Sequence, residues 1–193
     1  MALQLIEADG VEALSMRKLA TALDANPMSL CHHVPNKDAV LRGLAERVGS
    51  QFRAGAREDL PWQDRLRQLA LDFRKLSHSH PKLMACSFAR ADYVQPEDPF
   101  WQGLINILSA AELPASEIPR VAASLCAVFT GLLVSELTGA LQRWTTLPPA
   151  PVGPDGEDAP SPAKDVIDAM FSCALDATIV GLESHIARTH KEP

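Results

Sequence analysis

Long apolar runs are missing from this chain. Hydrophobic residues make up 47% of its 193 residues, yet no run nears the roughly 20 that a membrane-spanning helix needs. The longest candidate, Val121 to Val134, is interrupted by Ser124, Thr130 and Gly131 and begins beside Arg120. It reads as a buried helix, and no membrane partner is expected. No secretion signal precedes the first helical stretch, which points to the cytoplasm. Cysteine is sparse, with four thiols at positions 31, 86, 126 and 173 and no CxxC pair. Scattered thiols without a secretion signal are expected to be reduced. Only Cys31 is followed at once by histidines, His32 and His33. Adjacent residues on a helix point about 100° apart, so the three make a poor chelate, and neither a metal site nor a cofactor is expected.

Catalytic patterns are absent as well. No nucleophile–histidine–acid motif, glycine-rich phosphate loop or paired-carboxylate motif stands out, so no catalytic residue is assigned and an enzyme is not expected. Glu136, the one acid amid an apolar helix, reads as a pocket or interface group able to pair with Arg143 or Arg120. There is no strand alternation and no internal repeat. Basic charge is scarce: the net charge of −6 argues against a generic nucleic-acid binder. Its distribution matters more. Residues 13–47 hold Arg17, Lys18, Lys37, Arg42 and Arg47 against Asp24, Asp38 and Glu46, a balance of +2 that leaves the rest at −8. Positive charge is gathered in one short stretch.

That stretch carries three helix starts. Ser15 can cap a helix through Met16, Leu19, Ala20 and Leu23. Asn26 with Pro27 can open a second through Leu30 and His33, and Asn36 can cap a third with Ala39, Val40 and Leu41 on its apolar side. The first two are joined only by Asp24 and Ala25. That spacing predicts a helix-turn-helix, whose second helix can enter a DNA major groove.

Gly10, the run Leu14–Ser15–Met16–Arg17–Lys18–Leu19–Ala20, the triplet Met28–Ser29–Leu30 and the run His33–Val34–Pro35–Asn36–Lys37–Asp38–Ala39 resemble the tetracycline-repressor (TetR) family of bacterial one-component regulators. The resemblance covers about a quarter of the chain and implies a DNA-binding role there. Arg17 is the expected bidentate guanine contact, and Lys37 at a helix N-terminus suits a phosphate. Met28 can touch a thymine methyl, and Ser29 a base or phosphate. Ser15, Lys18, His32 and His33 complete the expected DNA set. Two departures stand out. Relatives normally carry a longer first helix after a basic arm, whereas this sequence begins inside that helix. They also carry tyrosine where Cys31 stands and a larger or basic residue where His32 stands. A cysteine cannot supply the tyrosine's phosphate bond, although His32 can gain charge at lower pH.

The remaining chain reads as a helical body. Residues 1–48 form the expected DNA-binding domain and 49–193 the ligand-binding and dimerisation domain, giving an all-α fold. Helices are expected from Ala2 to Asp9, from Lys37 to about Ala56, from Trp62 to about His80, from Pro81 to Ala89 and from Phe100 to Glu112. A long helix from Glu117 to Arg143 and a last one from Ala163 to Thr189 follow. The proline-, glycine- and acid-rich stretch at about 146–162 is expected to be a mobile loop. Small-molecule sites form between bundle helices. Trp101, Phe129 and Thr130 are the preferred lining, with Phe73, His80, Phe88, Phe100 and Cys126 as further candidates. Leu132, Leu133, Phe171, Leu175, Ile179 and Leu182 are the expected dimer contacts in a four-helix interface. The function expected is a homodimeric repressor of a palindromic operator, relieved by a small, largely apolar effector. The competing reading is a helical binding or adaptor protein of the same fold with weak or lost DNA binding.

Overall fold

The computed structural model describes residues 1–52, 59–90, 95–145 and 164–190. Those residues form ten helices and no strand. They are α1 (Ala2–Asp9), α2 (Met16–Ala22), α3 (Pro27–His33), α4 (Lys37–Gly49), α5 (Trp62–Ser79), α6 (Pro81–Phe88), α7 (Pro99–Ala110), α8 (Ile118–Leu137), α9 (Ala140–Thr145) and α10 (Lys164–Thr189). The stretch at 146–162 lies outside the described residues.

Caps set the small helices. Ser15 Oγ accepts the Lys18 amide at 3.1 Å, Asn26 Oδ1 the Met28 amide at 2.8 Å, and Asn36 Oδ1 the Ala39 amide at 2.9 Å. Each satisfies an amide that the first helical turn leaves orphaned, worth typically about 1 kcal/mol. Gly10 ends α1 at φ 89°, a conformation only glycine adopts freely. Asp24 takes φ 49° in the turn between α2 and α3, where aspartate is tolerated better than most residues. Ile6, Leu14, Leu19, Ala20, Val40 and Leu41 close the core of this head.

Two helix ends differ from expectation. Helix α4 stops at Gly49, not near Ala56. Ser50 Oγ bonds back to the Arg47 carbonyl at 2.8 Å and the Phe52 amide to that of Gly49 at 2.9 Å, which closes the end with a turn. Residues 53–58 lie outside the described residues. The long helix expected from Glu117 to Arg143 is two helices, because Gly139 at φ 74° breaks the helix between α8 and α9. Thr138 Oγ1 donates to the Val134 carbonyl at 2.7 Å in the last turn before it.

The body packs α5 against α7, α8 and α10, with α6 and α7 on α8. By length and composition alone α8 is apolar enough to cross a membrane, contrary to the expectation from its polar interruptions. Ala122, Leu125, Phe129 and Leu133 form its inner face. Ala123, Ala127, Val128 and Gly131 lie exposed on its outer face.

The expected dimer contacts need correcting. Leu133, Phe171, Leu175, Ile179 and Leu182 are all 6% exposed or less within a single chain, and Leu132 is half-buried against the same core. They hold the protomer together. Helix α10 is apolar on two sides, so its sequence did not reveal which side turns inward. Its outward stripe is Val166, Met170, Cys173, Ala177, Val180 and Ser184, alternating by four and three residues. Glu136 also differs from expectation: its partners are Arg74 and His78, not Arg143 or Arg120.

Candidate functional site

The head presents α3 outward. None of its residues is buried. Met28 is 74% exposed, and Ser29, Cys31, His32 and His33 are exposed with it. Leu30 and Val34 are the anchors, packed against the core. Ser15 uses its side-chain oxygen as the α2 cap. Two of the expected DNA cations are engaged by acids of the head itself. Lys18 Nζ lies 2.5 Å from Asp9 Oδ2, a bond that lowers the Asp9 carboxyl from its usual range, and Lys37 Nζ lies 3.7 Å from Glu12. Arg17 is exposed on α2 and makes no ion pair among the described residues. Its guanidinium is therefore available to a nucleic acid.

A second site lies where head meets body. A cavity of about 370 Å³ opens between α4 and the start of α7. Leu41, Arg42, Ala45, Glu46 and Gly49 supply one wall from α4, with Phe52 just beyond. Phe73 from α5, Ser87 from α6, Arg90, Gln95 and the run Asp98–Pro99–Phe100–Trp101 close it. Of the expected lining residues, Phe73, Phe100 and Trp101 are there. Phe88 and Phe129 belong to the same ring cluster but do not line the cavity: Phe73 meets Phe88 at 5.8 Å and Phe100 meets Phe129 at 6.3 Å. Cys126 and Thr130 face each other along α8, Sγ to Oγ1 4.0 Å, and are not among the lining residues. Burial pushes the Cys126 thiol up. His80 sits at the α5–α6 junction, also outside.

The α4 wall was missed in the sequence. The spacing of Leu41, Ala45 and Gly49 is the signal that could have found it, since residues four apart share a helix face. The cavity is also more polar than expected, with Arg42, Glu46, Arg90 and Asp98 among its lining. Phe73 and Phe100 stack at 4.0 Å between centroids and 19° between planes. Phe52 meets both edge-on, at 5.7 and 5.9 Å.

Helix α6 ties these two sites together. The Glu7 carboxylate of α1 accepts the amides of Lys82 and Leu83, each at 3.2 Å, so it caps α6 from the head. Lys82 Nζ donates to the Ala8 carbonyl at 2.8 Å. At the other end Arg90 pairs with Asp38 of α4 at 3.4 Å. Helix α6 is thus bonded to α1 at its start and, through Arg90 just past its end, to α4.

No family model matches the chain. Over 89 residues it is 35% identical to an HTH-type transcriptional regulator of Saccharopolyspora erythraea, a match covering 46% of this chain and 38% of the relative. Over 77 residues it is 36% identical to the Tetracycline repressor protein class E of Escherichia coli, covering 39% and 36%. The matches span 33% to 38% of the length of these curated relatives. Among solved structures, Apo ActR of Streptomyces coelicolor superposes with a TM-score of 0.76 at 20% identity, covering 97% of this chain and 93% of the other. A TetR variant of Acinetobacter baumannii in complex with minocycline gives 0.73 at 24% identity, covering 96% and 93%. The chain shares the fold of these solved structures, and its matched stretch of sequence is similar to the Tetracycline repressor protein class E. Within that fold, the TetR-like head carries the exposed α3 and the body contributes most of the cavity's far wall.

Proposed function

We propose that this protein is a transcriptional repressor that binds a two-half-site DNA operator as a homodimer and is released by a small molecule in the α4–α7 cavity. One observation carries the reading. Five residues of the cavity lining sit on α4, the helix that follows the helix-turn-helix in the chain and packs on α6. A ligand there touches the lever between body and head directly. It shifts the balance only through its differential affinity for the two positions of that lever. Two solved neighbours support the reading: the A. baumannii protein holds minocycline and the S. coelicolor protein ActR holds (S)-DNPA. A protein acting on DNA in this way works in the cytoplasm.

Fluorescence anisotropy with DNA flanking the protein's own coding region tests it. Saturable binding to one fragment is the expected result. Failure to bind any fragment above random DNA would favour the competing reading, a ligand-binding helical protein that has lost its operator; Cys31 and the acid-paired Lys18 and Lys37 favour that alternative.

The roles within the head separate by salt and sequence. Arg17→Ala should cost about 1–3 kcal/mol and relax preference at one base position, as for a base contact. Lys37→Ala should weaken every sequence alike and flatten the salt dependence by about one counterion. Titration of operator and random duplexes at several salt concentrations checks both. Equal losses on all sequences for Arg17→Ala would reassign it to the backbone.

A further inference from the structure

We propose that the α4–α7 cavity selects a ligand joining a flat aromatic body to a basic nitrogen, with Asp98 as the pairing carboxylate. The inference rests on the reading of this cavity as the effector site and gives it a chemistry. The volume of about 370 Å³ falls within the range of small-molecule sites, roughly 300–1,000 Å³. The Phe73–Phe100 stack, Phe52 and Trp101 supply ring faces and edges. Such walls favour flat rings, and their faces attract cations.

The charges then decide the sign of the ligand. Asp98 is half-buried at the start of α7. Its Oδ2 accepts the Gln95 amide at 2.6 Å, and it makes no ion pair among the described residues. Burial raises its carboxyl above the usual range, and the charges of Glu97 and Glu46 add to that effect. Among the described residues no arginine offsets it. Arg90 is engaged by Asp38 at 3.4 Å, and Arg42 is solvent-exposed, so water already stabilises its charge. A partly desolvated carboxylate without a cation is costly, and a ligand ammonium relieves that cost. Glu46, reaching the same cavity from α4, adds negative potential on the opposite wall. A cation drawn toward both would bridge α7 and α4, the contact the proposed release mechanism needs.

The test uses the DNA-free, full-length protein and two dyes of similar ring area and opposite charge, acridine orange and 1-anilinonaphthalene-8-sulfonate, read by anisotropy. Acridine orange should bind more tightly than the anion by about tenfold or more, the scale of one charged hydrogen bond. Asp98→Asn keeps the Gln95 contact and should remove that preference. Glu46→Gln should reduce it less. Ala45→Trp fills the cavity and should exclude both dyes. Lowering the pH should mimic Asp98→Asn as the carboxyl protonates, with Glu46, Glu97, Arg42, Arg90 and the Cys126 thiol the other groups facing it. Preference for the anion, or an unchanged ratio in both Asp98→Asn and Glu46→Gln, would overturn the charge selection. If Ala45→Trp still excluded the dyes in that case, the cavity would stand as the binding site. Binding of neither dye to the wild type, or undiminished binding to Ala45→Trp, would overturn the site and the selection together.

Discussion

Arg74→Ala should destabilise the protein by about 3–5 kcal/mol, the loss expected when a buried ion pair is broken from one side. The side chains of Arg74 and Glu136 are 15% and 3% exposed. Arg74 Nε donates to the two Glu136 oxygens at 3.2 and 2.9 Å, and Nη2 donates to Oε1 at 2.5 Å. Nη2 also reaches Asp168 at 2.6 Å, and the guanidinium lies 4.7 Å from the Phe171 ring centre. The group thus fastens α5, α8 and α10 at one point. Removing the arginine leaves Glu136 buried with, among the described residues, His78 Nε2, 3.0 Å away, as its remaining partner. Urea unfolding at fixed protomer concentration measures the effect, since the proposed dimer would make apparent stability concentration-dependent. The pair Arg74→Met with Glu136→Leu should recover most of the loss, because apolar groups of similar volume replace a buried pair at little net cost. A single-mutant loss below about 1 kcal/mol would place the pair among surface bridges in its energetics.

How much was legible depended on whether the signal was local. Ser15, Asn26 and Asn36 lie next to the helices they cap, and their bonds span two or three residues. Pro27, Pro81 and Pro99 open helices at their first turn, where a missing amide costs nothing. The head and the helical order of the body could therefore be read directly. The Gly139 break could not, because glycine inside a helical pattern costs only about 1 kcal/mol and is often tolerated. The inward face of α10 was hidden because both of its stripes are apolar. Arg74, Glu136 and Asp168 meet across 62 and 94 residues of sequence, a separation no local pattern encodes. The α4 wall escaped notice because Arg42 and Glu46 interrupt an otherwise apolar stripe.

Val180→Glu should convert the proposed dimer to monomers while leaving each protomer folded. Val180 is 59% exposed on α10, and Val128 on α8 and Val166 on α10 are 42% and 44% exposed. Around them the outer faces carry small side chains: Ala123, Ala127 and Gly131 on α8, and Cys173, Ala177 and Gly181 on α10. Small residues let helices from two copies approach closely, and among the described residues Gly131 and Gly181 face open space on the side of other elements. An apolar face of this kind on two adjacent long helices calls for a cover, and a self-complementary four-helix contact supplies one. A glutamate on that stripe would meet its own copy across the two-fold axis and leave a charge without a partner. Two recognition helices must span roughly 34–36 Å on adjacent major grooves. A monomer loses the second half-site and with it about 100-fold or more of operator affinity. Ile179→Glu is the control for folding. Ile179 is 4% exposed in the protomer core, so that substitution should unfold the chain instead of merely separating the copies. Sedimentation, far-ultraviolet circular dichroism and operator titration on both variants distinguish these outcomes. A folded Val180→Glu variant that remained dimeric and kept full operator affinity would remove the outer face of α10 from the interface.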